Sequence, residues 1–223
     1  MKKNPTPPVR RRAIKDEHKQ ERRQAILDTA WRMFQSAAYE AVTIAGIAEA
    51  QGLAKGTIFL YFNTKEELFL AIQEQQLAAW FDAVDSQLEG GAGALTVAEA
   101  ATLISHSIEE HVGVTRLLAI LSTVLEQNVG LDSALRFKRM VMERLTRTGG
   151  LLERRLPFLR PGQGAQIFLR IQALIVGLRH LADPAPVIQK ALQSPDLWAF
   201  NIDFDRELSE TIAALLRGME KET

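Results

Sequence analysis

The run from Val42 to Leu68, VTIAGIAEAQGLAKGTIFLYFNTKEEL, constrains this chain more than any other. Thr43 stands just before the apolar positions Ile44, Ile47 and Ala48, which makes it a helix N-cap. That helix is limited to about two turns, because Gln51-Gly52 supplies a C-terminal stop. Leu53 then sits alone in a tight turn, and Lys55 to Phe62 resumes as a second short helix. Two short helices joined by a glycine turn are the sequence form of a helix-turn-helix.

In the second helix Ile58 and Phe62 lie four apart and face inward together. Lys55, Thr57, Phe59 and Tyr61 are thereby left to meet a partner, and the Phe59-Leu60-Tyr61 end presents its hydrophilic flank outward. A DNA major groove admits a helix, and ammonium, hydroxyl and aromatic groups read base edges, thymine methyls and phosphates there. Gly56 removes a side chain where the backbone approaches a partner closely. Either Asn63 or Thr64 then caps a further helix, with Glu66 or Glu67 completing a capping box. Lys65 falls at that helix's N-terminus, where backbone N–H groups already favour a phosphate.

The collinear pattern of Thr43, Ile47-Ala48, Gly52-Leu53, Lys55-Gly56-Thr57, Tyr61-Phe62 and Lys65-Glu66-Glu67-Leu68 resembles the DNA-binding domain of the TetR family of transcriptional regulators. The resemblance implies that Lys55 to Tyr61 is the recognition helix and that Thr43 and Lys65 grip the DNA backbone. Two positions depart from the family pattern. Ala54 stands where a serine commonly caps the recognition helix, and Phe59 where a tyrosine is frequent. The first removes a cap and the second a phosphate-directed hydroxyl.

Charge agrees with a polyanion-binding head. Lys+Arg and Asp+Glu number 27 each, for a net charge of zero. Residues 1–65 carry 12 of the cations and 6 of the acids, leaving 15 against 21 for the remainder. A basic end is thus joined to an acidic body. Residues 1–15, MKKNPTPPVRRRAIK, combine prolines and cations without apolar period, and are expected to form a disordered basic arm. Such an arm either lies along phosphates or serves as a solubilising tail.

The remainder reads as all-α, with about nine helices in total. A first helix starts near Asp16 or Glu17 and buries Ile26, Ala30, Met33, Phe34 and Ala37. It completes a three-helix DNA-binding domain over 16–64. A fourth helix from Lys65 to about Leu88, roughly 36 Å long at 1.5 Å per residue, opens a larger ligand-binding and dimerisation domain over 65–223. Its face is Leu68, Ile72, Ala79, Trp80, Val84 and Leu88. Five more helices follow: one on Val97 to Val112, an evenly apolar one from Val114 to Gln127, one on Ala134 to Leu152, one from Ile167 to Asp183, and a last on Phe204 to Met219. A proline-punctuated connector over 184–201 holds a short helix.

The last two long helices have broad apolar faces that a symmetric partner would bury. Family resemblance also implies dimerisation there, through Ile167, Ile171, Leu174, Leu178, Leu208, Ile212 and Leu215. A dimer sets two recognition helices about one DNA turn apart, near 34–36 Å, matching a palindrome. For an effector pocket the candidates are Trp80, Phe81, Leu121, Phe137 and Phe168 as apolar walls, with Glu126 and Asn128 as rim groups and Arg116 to answer a carboxylate.

No cysteine is present, which excludes disulfides and thiol chemistry. No signal-like apolar run follows the N-terminus, and the longest apolar stretches, such as Ile171 to Leu178, are too short for a bilayer, so a cytoplasmic location is expected. His106 and Glu110 share a helix face with Glu109 and His111 near, but nothing marks a third metal ligand. No catalytic signature or phosphate-binding glycine loop is present, so neither an enzyme nor a cofactor is expected. The resulting expectation is a dimeric repressor released from a palindromic operator by a small apolar inducer. A DNA-binding protein without a ligand, or a helical protein-interaction module, stays open.

Overall fold

The computed structural model describes the backbone of residues 8–221 and the side chains of residues 16–221. Its long elements are α-helices: α1 (Pro8–Ser36), α2 (Ile44–Ala50), α3 (Lys55–Phe59), α4 (Lys65–Gly90), α5 (Val97–Glu109), α6 (Val112–Leu121), α7 (Leu131–Arg155), α8 (Gln163–Ala182), α9 (Pro186–Ala191) and α10 (Phe204–Lys221). Short 3-10 turns cover Tyr39–Ala41, Leu125–Asn128 and Pro195–Phe200. Among the described residues there is no strand. The fold class is all-α as expected, and the short connector helix is α9.

The chain divides into two compact units, residues 1–72 and 73–223. The division falls inside α4 rather than at its start. The reason is packing, because the first turns of α4 belong to the core of the first unit: Phe69 meets Phe34 and Tyr39 edge-on, at centroid distances of 5.5 and 4.9 Å. Of the arm expected over 1–15, residues 8–15 instead form the start of α1, and residues 1–7 lie outside the described residues.

In the first unit α1 buries Ile26, Leu27, Ala30 and Phe34 with Val42, Ile47, Ala48, Ile58 and Phe62. The turn after α2 depends on Gly52, whose φ of +63° is a left-handed conformation that a Cβ disfavours. There the Leu53 N–H donates to the Ala48 carbonyl at 2.8 Å and the Gly52 N–H to Glu49 at 3.0 Å. Gln51 reaches across to α1, its amide donating to the Ala25 carbonyl and the Thr29 hydroxyl.

In the second unit α8 is the hub, packed against α6, α7 and α10, while α10 also lies along α5. α5 begins with a full capping box in which Thr96 and Glu99 satisfy each other's N–H groups. Those donors hold the Glu99 carboxyl below the usual range. α4 is tied to α7 through buried Asp85, which accepts from the Thr148 hydroxyl at 2.6 Å and pairs with Arg147 at 2.7 Å. Sequence periodicity misplaces some detail. Ala79 is exposed while Leu77 and Phe81 are buried. The evenly apolar helix stops at Leu121, so Glu126 and Asn128 lie on a separate 3-10 turn.

α7 and α8 form a hairpin whose closed end is a glycine contact. A Cβ at Gly164 would lie 2.1 Å from the Gly149 carbonyl oxygen, and one at Gly149 would lie 2.4 Å from the Ala165 nitrogen. Both neighbours are backbone and have no easy retreat. Gly164→Ala is therefore expected to destabilise the second unit by about 2 kcal/mol or more, read as a lowered melting temperature, whereas Gly150→Ala, which faces open space, leaves the melt unchanged or raises it.

Candidate functional site

α3 contains only five residues, so its place is set by what it buries. Ile58 is fully buried and Phe62, just beyond its end, is 3% exposed. The opposite side is left to solvent: Lys55 and Gly56 are exposed, Thr57 and Tyr61 are half-buried, and Phe59 and Leu60 are 41% and 76% exposed. Two large apolar side chains held outward beside a lysine and two hydroxyls form a surface that matches thymine methyls and phosphates. At Gly56 a Cβ would meet nothing within 4 Å, so the fold itself does not require glycine there.

The flanking caps differ in quality. Thr43 caps α2, its hydroxyl oxygen accepting from the Gly46 N–H at 3.0 Å. The residue is exposed, and the hydroxyl keeps its own hydrogen to donate. Thr64 caps α4, accepting from the Glu67 N–H at 3.0 Å, while the Glu67 carboxylate accepts from the Asn63 N–H at 3.1 Å. Ala54 has the extended backbone of an N-cap, with φ −70° and ψ 142°, and no side-chain hydrogen bond to give.

Lys65 does not stand free to grip a phosphate. Its ammonium donates to the Tyr39 carbonyl oxygen and lies 3.7 Å from the Tyr39 ring centroid. Burial lowers its pKa, against the pull of Glu40 and Glu66. The same surroundings raise the Tyr39 hydroxyl, through burial first and then Glu66 and Glu40. The lysine thus holds the 3-10 turn at Tyr39–Ala41 to the start of α4. Its proximity to Tyr39 in space had no local signal, because 26 residues separate them.

The second unit contains an apolar cavity of about 40 Å³. Of the sequence candidates, Trp80, Phe81, Leu121, Phe137 and Phe168 line it, together with Leu77, Leu118, Val141, Leu145, Ile171 and Ile175. Three other candidates are not in the wall: Arg116, Glu126 and Asn128. The polar lining comes instead from Lys138 and Gln172, which the sequence reading missed. Gln172 did carry a signal, since it interrupts the Phe168, Ile171, Ile175 stripe at helical spacing. Glu126 is nevertheless adjacent, as the ion-pair partner of Lys138. A second void of about 10 Å³, bordered by His111 and Thr115, shares Trp80, Leu118 and Ile175 with the first as a partition. Trp80 is fixed there by its indole N–H, which donates to the Ser107 hydroxyl at 3.0 Å.

The stripe assigned to dimerisation is divided. Ile167, Ile171, Leu208 and Ile212 are each at most 1% exposed within a single chain, so none can form an intersubunit surface. Leu174, Leu178 and Leu215 remain half-exposed, and Leu169 and Leu181 are exposed. The buried line of α10 ends on Leu216 rather than Leu215. His106 pairs with Glu109 and Glu110 at 3.3 and 3.5 Å. Among the described residues no group of three metal-binding side chains comes together, and no helix is long and apolar enough to cross a membrane.

Comparison with known proteins covers both units. A family model described as "Bacterial regulatory proteins, tetR family" matches residues 26–72, and one described as "Tetracyclin repressor-like, C-terminal domain" matches residues 74–223. The HTH-type transcriptional repressor AcnR of Corynebacterium efficiens is 40% identical over 62 residues, 28% of this chain and 33% of that one. The HTH-type transcriptional regulator YfiR of Bacillus subtilis is 32% identical over 76 residues, 34% of this chain and 37% of that one. The likeness thus spans about a third of each relative. Among solved structures, the fatty acid degradation regulator FadR from Bacillus halodurans superposes with a TM-score of 0.55 at 19% identity, over 87% of this chain and 93% of that one. That likeness is one of fold.

The uncapped start of α3 leads to a stability test. Ala54→Ser is expected to raise the stability of the first unit by about 1 kcal/mol through a new bond to the N–H of Thr57 or its neighbour, seen as a higher denaturant midpoint with an unchanged slope.

Proposed function

Since the chain belongs to the tetR family of bacterial regulatory proteins, we propose that it is a sequence-specific DNA-binding transcriptional regulator, a cytoplasmic repressor released from its operator by a small molecule. The observation that carries this is the outward face of α3, with Lys55, Gly56, Thr57, Phe59, Leu60 and Tyr61 held over buried Ile58 and Phe62. The AcnR relatives, described as repressors, support the sign of regulation.

α3 enters the major groove, and its side chains read base edges while Thr43 donates its hydroxyl to a phosphate. Lys65 contributes by fixing the Tyr39 turn and the start of α4. The active form is a homodimer reading a palindrome with half-sites about 34–36 Å apart. Its interface uses the exposed side of α8 and α10, with Leu169, Leu174, Leu178 and Leu215 available in place of the buried isoleucines.

The effector enters the cavity beside Trp80 and Phe168. At about 40 Å³ that space holds little beyond a few small groups, so binding selects a conformation in which the walls part. α4 carries the change, because it is one continuous helix with residues in both units. Gln73 supports its readiness to repack. This side chain is fully buried, and neither end of its amide has a hydrogen-bond partner within the protein. Such a group costs about 1–3 kcal/mol, which narrows the gap to an alternative position of the helix. A coupling of about 1–3 kcal/mol suffices to weaken operator binding roughly 5–150-fold.

Footprinting on the DNA upstream of the protein's own gene should reveal a protected palindrome, with affinity falling steeply as salt rises. A chain that protects nothing and shows no salt-dependent affinity for duplex would refute the reading. Thr57→Ala is expected to alter preference among operator variants by about 1–3 kcal/mol per changed base pair. Gly56→Ala separates folding from recognition. It should raise stability by about 0.5–1 kcal/mol, since alanine is the better helix former and meets no neighbour, and still weaken operator binding in a gel-shift titration.

A further inference from the structure

We propose that the cavity of the second unit takes a small anionic amphiphile, a compact apolar body bearing one carboxylate, whose head group displaces Glu126 from Lys138. The inference deepens the effector reading above and rests on it.

The walls decide the body of the ligand. The Trp80, Phe81 and Phe168 rings meet at centroid distances of 4.7 to 6.1 Å, and Phe137 adds a further ring at the wall. An ionised group among these side chains would lose its hydration with nothing in return. Only an apolar body, best one with a ring for edge-on contact, gains by entering.

Lys138 decides the head. It is the cation among the lining residues, and its side chain is 60% exposed, so it marks where the cavity reaches solvent. Its ammonium already holds a carboxylate, that of Glu126, and the position therefore fits one. A ligand carboxylate there takes over the Lys138 ammonium, the partly exposed Glu126 carboxylate turns out to water, and the apolar body is buried behind. A neutral head gains nothing from Lys138, and a cationic head is repelled. The displaced residue also matters. Glu126 ties the Leu125–Asn128 turn to α7, and that turn follows α6, which supplies Leu118 and Leu121 to the wall. Exchange of the counter-ion therefore frees a link between this turn and α7 beside the cavity.

Isothermal titration of the full chain without DNA tests the assignment, using 4-butylbenzoate, 4-butylbenzyl alcohol and 4-butylbenzylamine as probes of one shape. The acid is expected to bind about fivefold more tightly than the alcohol, as suits one partly exposed ion pair, and the amine more weakly than either. Lys138→Met should abolish the acid's advantage and leave the alcohol's affinity as it was, while Lys138→Arg keeps the preference. Glu126→Gln should strengthen acid binding about fivefold by removing the competing carboxylate. Both side chains reach solvent, and a melting curve verifies that each variant folds. Alcohol binding as tightly as acid, or acid binding indifferent to Lys138→Met, overturns the head-group assignment alone. If none of the three probes binds, the effector cavity falls with it.

Discussion

A helix of five residues has no stability of its own. Nucleation is unfavourable, and isolated helices below about 12–15 residues are marginal in water. α3 exists because Ile58 and Phe62 are buried in the core that α1 and α2 provide. That anchorage has a directional consequence. Once Ile58 and Phe62 are committed inward, Phe59 and Leu60 are turned to solvent, with Thr57 and Tyr61 half-buried between the two sides. Exposed aromatic and aliphatic groups are unfavourable in water. Elsewhere the first unit is closely packed, with Phe69 meeting both Phe34 and Tyr39 edge-on.

The parts of this arrangement that were legible in the sequence are those decided within about four residues. The Thr43 cap, a cap at Asn63 or Thr64, the Gly52 turn and the missing cap at Ala54 all follow from the order of side chains along the chain. The parts that were not legible depend on residues distant in sequence. Lys65 sits at a helix N-terminus, which suggests a phosphate grip, yet its ammonium is captured by the carbonyl and ring of Tyr39. The apolar stripes of α8 and α10 raise the same difficulty on a larger scale. Periodicity identifies which face avoids water, but it cannot tell whether the same chain or a second one covers it. Here the chain itself covers Ile167, Ile171, Leu208 and Ile212. The polar rim expected from Glu126 and Asn128 is displaced from the cavity wall for a related reason. The helix stops at Leu121, and the short turn that follows delivers Glu126 to Lys138 rather than to the cavity wall.

The cavity itself follows from how α7 and α8 are joined. At the turn end of their hairpin, Gly149 and Gly164 let the two backbones touch, and no side chain can be inserted there. Farther along, the facing residues are large: Leu145, Val141 and Phe137 on α7, and Phe168, Ile171 and Ile175 on α8. Small residues thus face one another at one end of the pair and bulky ones farther along. α4 adds Leu77, Trp80 and Phe81 to the same lining. Tilted and edge-on rings at centroid distances of 4.7 to 6.1 Å meet there, with small gaps between them. The voids on either side of Trp80 are such gaps. Backbone already touches backbone at the glycine contact, so widening costs least away from it, where Phe137 and Lys138 stand and Lys138 pairs with Glu126.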